Sequence, residues 1–219
     1  MRRRPLIVES SRQSGAILTV IVSAVTAIAL VIGIFVAVVL WYPRPDDTTD
    51  VSIFARDGAS VDYCKQPAPR GDPVLADDIP KAYTPGCGWS VFPMPVLASC
   101  TEPLVAGAPD LRGLWQAHSG MVGHIERIEQ CGNRVIVTSG AIIHDMRADG
   151  TLRNGVNDIN PNGCFRIWAS ARYLDGALVL HPFGQSFITV TRTLEGDELV
   201  WEYPSIGVTR MRRICTLAD

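Results

Sequence analysis

The sequence predicts a single-pass N-terminal transmembrane α-helix followed by an all-β extracytoplasmic domain, an antiparallel up-and-down meander closing into a barrel of about eight strands. Three observations carry this. Residues 15–42 contain no charged side chain. Residues 43–110 hold 11 of the 15 prolines. From residue 111 onward, short alternating apolar runs are separated by tight Gly-containing breaks. The implied organisation is a basic tail (1–14), a membrane helix (15–42), a Pro-rich, Cys-containing ordered arm (43–110) and a barrel domain (111–219).

The charge-free run is longer than the roughly 20 residues needed to cross a bilayer. Trp41 and Tyr42 fall where an interfacial aromatic belt would lie, and Arg2, Arg3, Arg4 and Arg12 precede the run against one acid, Glu9. By the positive-inside rule the N-terminus stays in the cytoplasm and residues 43 onward cross the inner (cytoplasmic) membrane to its periplasmic or extracytoplasmic side. A cleaved secretory signal would have a shorter apolar core and a small-x-small cleavage site. Here the run ends in bulky Val-Val-Leu-Trp-Tyr, so an uncleaved signal anchor is expected. Thr26, Ala29, Gly33 and Ala37 share one helix face, a small-xxx-small series of the kind that lets a second helix approach closely. Small residues also occur in helices that only anchor, so docking and plain anchoring both stand.

Outside the helix, 219 − 42 = 177 residues remain, enough for one sizeable domain and a long arm. The arm has 5 basic and 10 acidic residues, and residues 111–219 have 11 of each. No basic face is implied, which argues against nucleic acid as a partner. Six cysteines, Cys64, Cys87, Cys100, Cys131, Cys164 and Cys215, suggest disulfides in an exported segment. Three lie in the arm and three beyond it. If all pair, at least one bridge joins arm to barrel, while the pairing itself stays open among 15 arrangements. The arm also carries Tyr63, Tyr83, Trp89, Phe92, Met94 and Leu97, which a solvated spacer would lack. It is expected to be ordered, against the barrel or against a neighbour.

Nine runs follow: 111–117, 121–129, 133–139, 141–148, 164–173, 177–183, 186–194, 198–203 and 207–215. Their Gly-containing breaks are the sequence form of antiparallel hairpins, and closing the meander removes its exposed edges. Alternation assigns faces: Leu199, Trp201 and Tyr203 together, and Thr209, Met211, Arg213 and Cys215 together.

Leu111-Arg112-Gly113-Leu114-Trp115 resembles the G-x-W opening strand of calycin barrels, the lipocalins, fatty-acid-binding proteins and avidins. The stretch from Ile188 to Tyr203, followed by Gly207 to Ile214, looks like their closing hairpins. The resemblance covers about residues 111–215. It implies a closed barrel end built from Gly113 and Trp115, with Arg212 or Arg213 covering the indole. The paired helices and terminal Arg-x-Tyr of fatty-acid-binding proteins are absent, as is the lipocalin T-D-Y motif. The architecture therefore carries over better than a ligand does.

Candidate chemistry is sparse. Asp158, Asn160 and Asn162 with Gly163 match the first half of a calcium loop, but the twelfth position is Ala169, and an Asn/Gly-rich connection is the plainer reading. His118, His124, His144 and His181 show no metal spacing, and His144 and Asp145 point to opposite faces of a strand. Ser119, Ser139 and Ser186 lack a nucleophile-elbow context. No cofactor, no metal and no enzyme activity are expected. Two functional expectations follow. The first is a non-catalytic accessory subunit of a larger membrane complex, docking through its helix and covering partners on the periplasmic side. The second is a membrane-tethered, lipocalin-like binder of an apolar small molecule such as a lipid or pigment.

Overall fold

The structure is a computed structural model that describes residues 10–41, 74–81, 89, 92–140, 142–152, 158–160 and 165–215. The chain divides into two compact units, Met1–Asp46 and Asp47–Asp219.

The first unit contains one helix, α1 (Ser10–Trp41). It begins five residues before the charge-free run, because nothing in Ser-Ser-Arg-Gln-Ser breaks the helix. By length and composition Ile17–Ala37 is long and apolar enough to cross a membrane. Its 21 residues give about 32 Å of helix, close to the thickness of a bilayer's hydrocarbon core. Every side chain described along it is exposed. The Thr26 hydroxyl donates to the Val22 carbonyl at 2.8 Å, so it is satisfied inside its own helix.

The second unit is all β. Nine strands form one antiparallel sheet: β1 (Gly113–Ser119), β2 (Ile125–Cys131), β3 (Arg134–Ser139), β4 (Ile142–Arg147), β7 (Ala169–Leu174), β8 (Ala177–Pro182), β9 (Val190–Glu195), β10 (Glu198–Tyr203) and β11 (Gly207–Ile214). Their spatial order is β4-β3-β2-β1-β11-β10-β9-β8-β7, so first and last strands pair and the meander curls into a nearly closed barrel. The seam lies between β4 and β7. It is bridged by Asp149 opposite Arg172 and by the Gly150 amide donating to the Ala171 carbonyl at 2.7 Å. Within the seam connection β5 (Asp158–Asn160) pairs with β6 (Phe165–Ile167) as a separate hairpin. Nine strands line the barrel where about eight were expected, because all nine apolar runs contribute one. The run 164–173 splits near Trp168 into β6 and β7. The β7–β8 turn takes Asp175 and Gly176 to φ 50° and 77°, the two left-handed positions of a tight hairpin turn.

Alternation sorts side chains into two layers. Trp115, Ile128, Val135, Val137, Met146, Leu178, Leu199, Trp201 and Met211 fill the interior. The outer face of β2–β4 is also buried. There Cys131, Ile136 and Ile143 pack with Ala76, Val96 and Leu97 of the arm. The described part of the arm therefore lies on the chain's own barrel.

Proline chemistry explains the clamp. A Pro-rich segment has few N–H donors and no ladder of its own, so its buried carbonyls need donors from elsewhere. Two arginines supply them. Arg134 Nη1 donates to the carbonyls of Ala76 and Ile79 at 2.9 and 2.5 Å, and Nη2 to that of Pro80 at 2.8 Å. Its remaining donors grip Asp145 at 2.9 and 2.7 Å. Arg127 donates to the carbonyls of Pro93 and Met94 at 2.5 and 2.9 Å and to Glu129 at 3.2 Å, beneath the Phe92 ring. Glu129 in turn accepts the Leu97 amide at 2.8 Å. A Cys100–Cys131 disulfide adds a covalent tie between arm and barrel. Cys215 is disulfide-bonded as well, while Cys64, Cys87 and Cys164 lie outside the described residues.

Candidate functional site

The inward faces of β2, β9 and β10 bring together groups that the apolar pattern would not place in a core. Glu126 and Arg192, 66 residues apart, form a two-pronged ion pair at 2.8 and 3.0 Å. Both are buried, at 0% and 5% exposure. The Arg192 guanidinium lies over the Trp201 ring, 5.4 Å from its centroid, and the His124 ring stacks on the same indole at 5.1 Å. His124 Nε2 sits 3.0 Å from Ser139 Oγ and 3.7 Å from Glu126 Oε2. Register explains the assembly. Trp201 is opposite Arg192, and Glu126 is opposite Ser139. Closing the barrel then carries β9 across to β2.

Two donors in this group have no hydrogen-bond partner: Arg192 Nη1 and Trp201 Nε1, both buried. A buried N–H left unpaired costs about 1–3 kcal/mol. Ser139, His124 and Glu126 do not form a nucleophilic relay. In such a relay the acid orients one ring nitrogen while the other faces the hydroxyl, whereas here Ser139 and Glu126 share Nε2.

Glu126 is held charged. Burial alone raises its pKa, but the Arg192 charge, the neighbouring His124 ring and the hydrogen bonds from Arg192 override this and hold it at about 2, against an ordinary 4.5. A carboxylate whose folded pKa is depressed contributes stability above its unfolded pKa and loses it as pH falls through the folded value. Stability should therefore drop between about pH 4.5 and pH 2. Urea midpoints followed across that window should fall in wild type and stay flatter in Glu126→Gln; equal slopes would refute the assignment.

The residues singled out in the sequence fall in different places. Arg213 covers Trp115, with the guanidinium 4.7 Å from the ring centroid. Gly113 at φ 145° makes room, since a Cβ there would stand 3.1 Å from Arg213 Nε. The Trp115 indole donates to the Leu111 carbonyl at 2.9 Å. Arg212 points to the outer face, 3.5 Å from Glu198. The four histidines do not converge. His118 pairs with Glu198 at 2.8 Å on the outside, His181 lies 3.1 Å from the Ile188 carbonyl on the outward side of β8, and only His124 and His144 face inward. Asp158 and Asn160 are paired strand residues in β5 rather than parts of a tight loop, and Asn162 lies outside the described residues. Among the described residues no cluster of three metal-binding side chains occurs. Thr26, Ala29, Gly33 and Ala37 are exposed on α1, and a Cβ at Gly33 would meet no atom within 4 Å. Sequence reasoning missed Glu126, Arg192 and Trp201 as a group. Their signal was opposite charges at inward positions of two apolar alternations.

The class defined by these features is a nearly closed nine-strand antiparallel barrel with a buried, charge-balanced polar group, compatible with a calycin-like fold. No protein-family model, no curated protein and no solved structure matches the chain.

Proposed function

We propose that this protein is a membrane-tethered, non-catalytic, calycin-like barrel that binds an apolar small molecule carrying a neutral hydrogen-bond acceptor. The carrying observation is the pair of buried, unpartnered donors, Arg192 Nη1 and Trp201 Nε1, beside the apolar cluster of the barrel interior. A buried donor is stabilised by an acceptor, and apolar sites use a few such groups to orient a ligand. The acceptor is neutral because Glu126 already balances Arg192. A carbonyl, ester or hydroxyl oxygen suits the site better than a carboxylate, which would add an uncompensated buried charge. In this reading α1 anchors the barrel on the extracytoplasmic side of the cytoplasmic membrane.

A second reading, favoured by the open small-residue face of α1, is an accessory subunit of a larger membrane complex. One experiment separates the two. The full chain is extracted in mild detergent, and whatever co-purifies is identified by native mass spectrometry and solvent extraction. The first reading expects about one apolar molecule per chain, with retention reduced in Trp201→Phe, which keeps the ring and removes the donor. The second expects stoichiometric membrane proteins, lost in Gly33→Ile. Absence of any small molecule overturns the first reading.

A further inference from the structure

The barrel's two ends differ in chemistry. The described connections at one end are residues 120–124, Gly140, 183–189 and 204–206: Gly-Met-Val-Gly-His, a lone Gly, Phe-Gly-Gln-Ser-Phe-Ile-Thr and Pro-Ser-Ile. None contains Asp, Glu, Lys or Arg. The connections at the opposite end carry Asp149, Asp175 and Asp197, whereas charge at the first end begins with exposed Glu202 on β10, opposite Val208. The first end also exposes large apolar side chains. Val122 is 73% and Phe187 78% exposed, with Met121, Phe183, Ile206 and Val208 exposed beside them. Because β8, β9, β10, β11 and β1 are consecutive neighbours, these side chains form one arc along the rim.

The arc is held out by backbone structure. The Val122 amide donates to the Gly120 carbonyl and the His124 amide to the Met121 carbonyl, each at 3.0 Å, making a tight turn with Val122 at its tip. Gly120 sits at φ 75°, where a Cβ would collide with the Val208 carbonyl. In 183–189 the amides of Gly184, Gln185 and Ile188 donate to the carbonyls of His181, Pro182 and Gln185, each at 3.0 Å, and present Phe187 outward. Exposed apolar groups that the backbone prevents from collapsing mark a surface covered in use.

We infer that this rim docks against a lipid bilayer, burying Val122, Phe187 and Ile206 in its interfacial region. The inference rests on the membrane-tether reading of α1. The same chain carries a helix apolar enough to cross a bilayer, which keeps lipid at high effective concentration around the barrel. Residues 42–73 connect that helix to the first described arm residue. Those 32 residues span at most about 110 Å, long enough for either barrel end to reach the surface. The connections that carry Val122, Phe187 and Ile206 hold no charged side chain that would have to be desolvated in the interface.

The test uses the full chain in phosphatidylcholine liposomes that contain a phosphatidylcholine with a photoactivatable diazirine in its acyl chain, with lipid adducts mapped by mass spectrometry. The expected result is adducts on α1 and on 120–124, 183–189 and 204–206, with the opposite-end turns around Asp175 and Asp197 unlabelled. Val122→Glu combined with Phe187→Glu should cut rim labelling about tenfold while α1 labelling persists. Val122→Ser with Phe187→Ser serves as a second variant should the acidic pair fail to fold. Labelling of α1 without the rim overturns docking and leaves the tether standing. Absence of labelling on α1 overturns both.

Discussion

Arg134→Met should destabilise the protein by about 3–5 kcal/mol, the cost of breaking a buried ion pair by removing one of its members. Asp145, 1% exposed, would lose both hydrogen bonds from Arg134, and the Ala76, Ile79 and Pro80 carbonyls would lose their donors. Urea unfolding of the detergent-solubilised chain, followed by tryptophan fluorescence, gives the size of the loss. Hydrogen exchange gives its location: residues 74–81 should lose protection while the interior strands β10 and β11 keep theirs. Arg134→Met with Asp145→Leu should recover much of the stability, because no charge is stranded, yet leave 74–81 unprotected. Recovery of arm protection in the double variant would show that the carbonyl contacts do not hold the arm.

Arg192→Met should cost a similar 3–5 kcal/mol for a different reason. It strands the Glu126 carboxylate inside the barrel, with His124 3.7 Å away. With Arg192 gone, burial should push the carboxyl above its ordinary 4.5, so the variant regains stability on mild acidification while wild type does not. Glu126→Leu with Arg192→Met replaces the pair by apolar side chains and should lie close to wild type or above it. Denaturant midpoints for the four proteins of this cycle give the coupling energy. A single variant no less stable than wild type would mean the pair is not buried as described.

Much of the fold was legible in residue order alone. The helix follows from a charge-free run that only an apolar environment satisfies. The faces of β10 and β11 follow from alternation: Leu199, Trp201 and Tyr203 point into the barrel or against its core, as does Met211. If all six cysteines pair, parity calls for at least one bridge between arm and barrel, and Cys100–Cys131 joins the two. The G-x-W resemblance, and not any local periodicity, implied that Arg212 or Arg213 covers Trp115, and it is Arg213 that does so.

The candidate site was much less legible. Glu126 and Arg192 each look like a tolerable polar interruption of a strand. Their pairing depends on which strands closure sets across the barrel from one another, and local pattern carries no information about that. Arg127 and Arg134 show the same difficulty from the other side. Alternation places both on the outward face, which predicts solvated side chains. They are 1% and 3% exposed because the arm adds a second layer over β2–β4. The apolar rim divides likewise: the absence of charge in 120–124, 183–189 and 204–206 can be counted in the sequence, whereas their meeting at one end depends on the strand order.

The sequence by itself therefore determined the apolar helix, the strand periodicity and the turn positions, because these arise from hydrophobic spacing and backbone preferences over a few residues. Only the tertiary structure decided what the arm covers, which charges become partners and which loops share a rim. Those outcomes depend on contacts between residues far apart in the chain, and they exist only once the barrel has closed and the burial of one layer fixes where the next can pack.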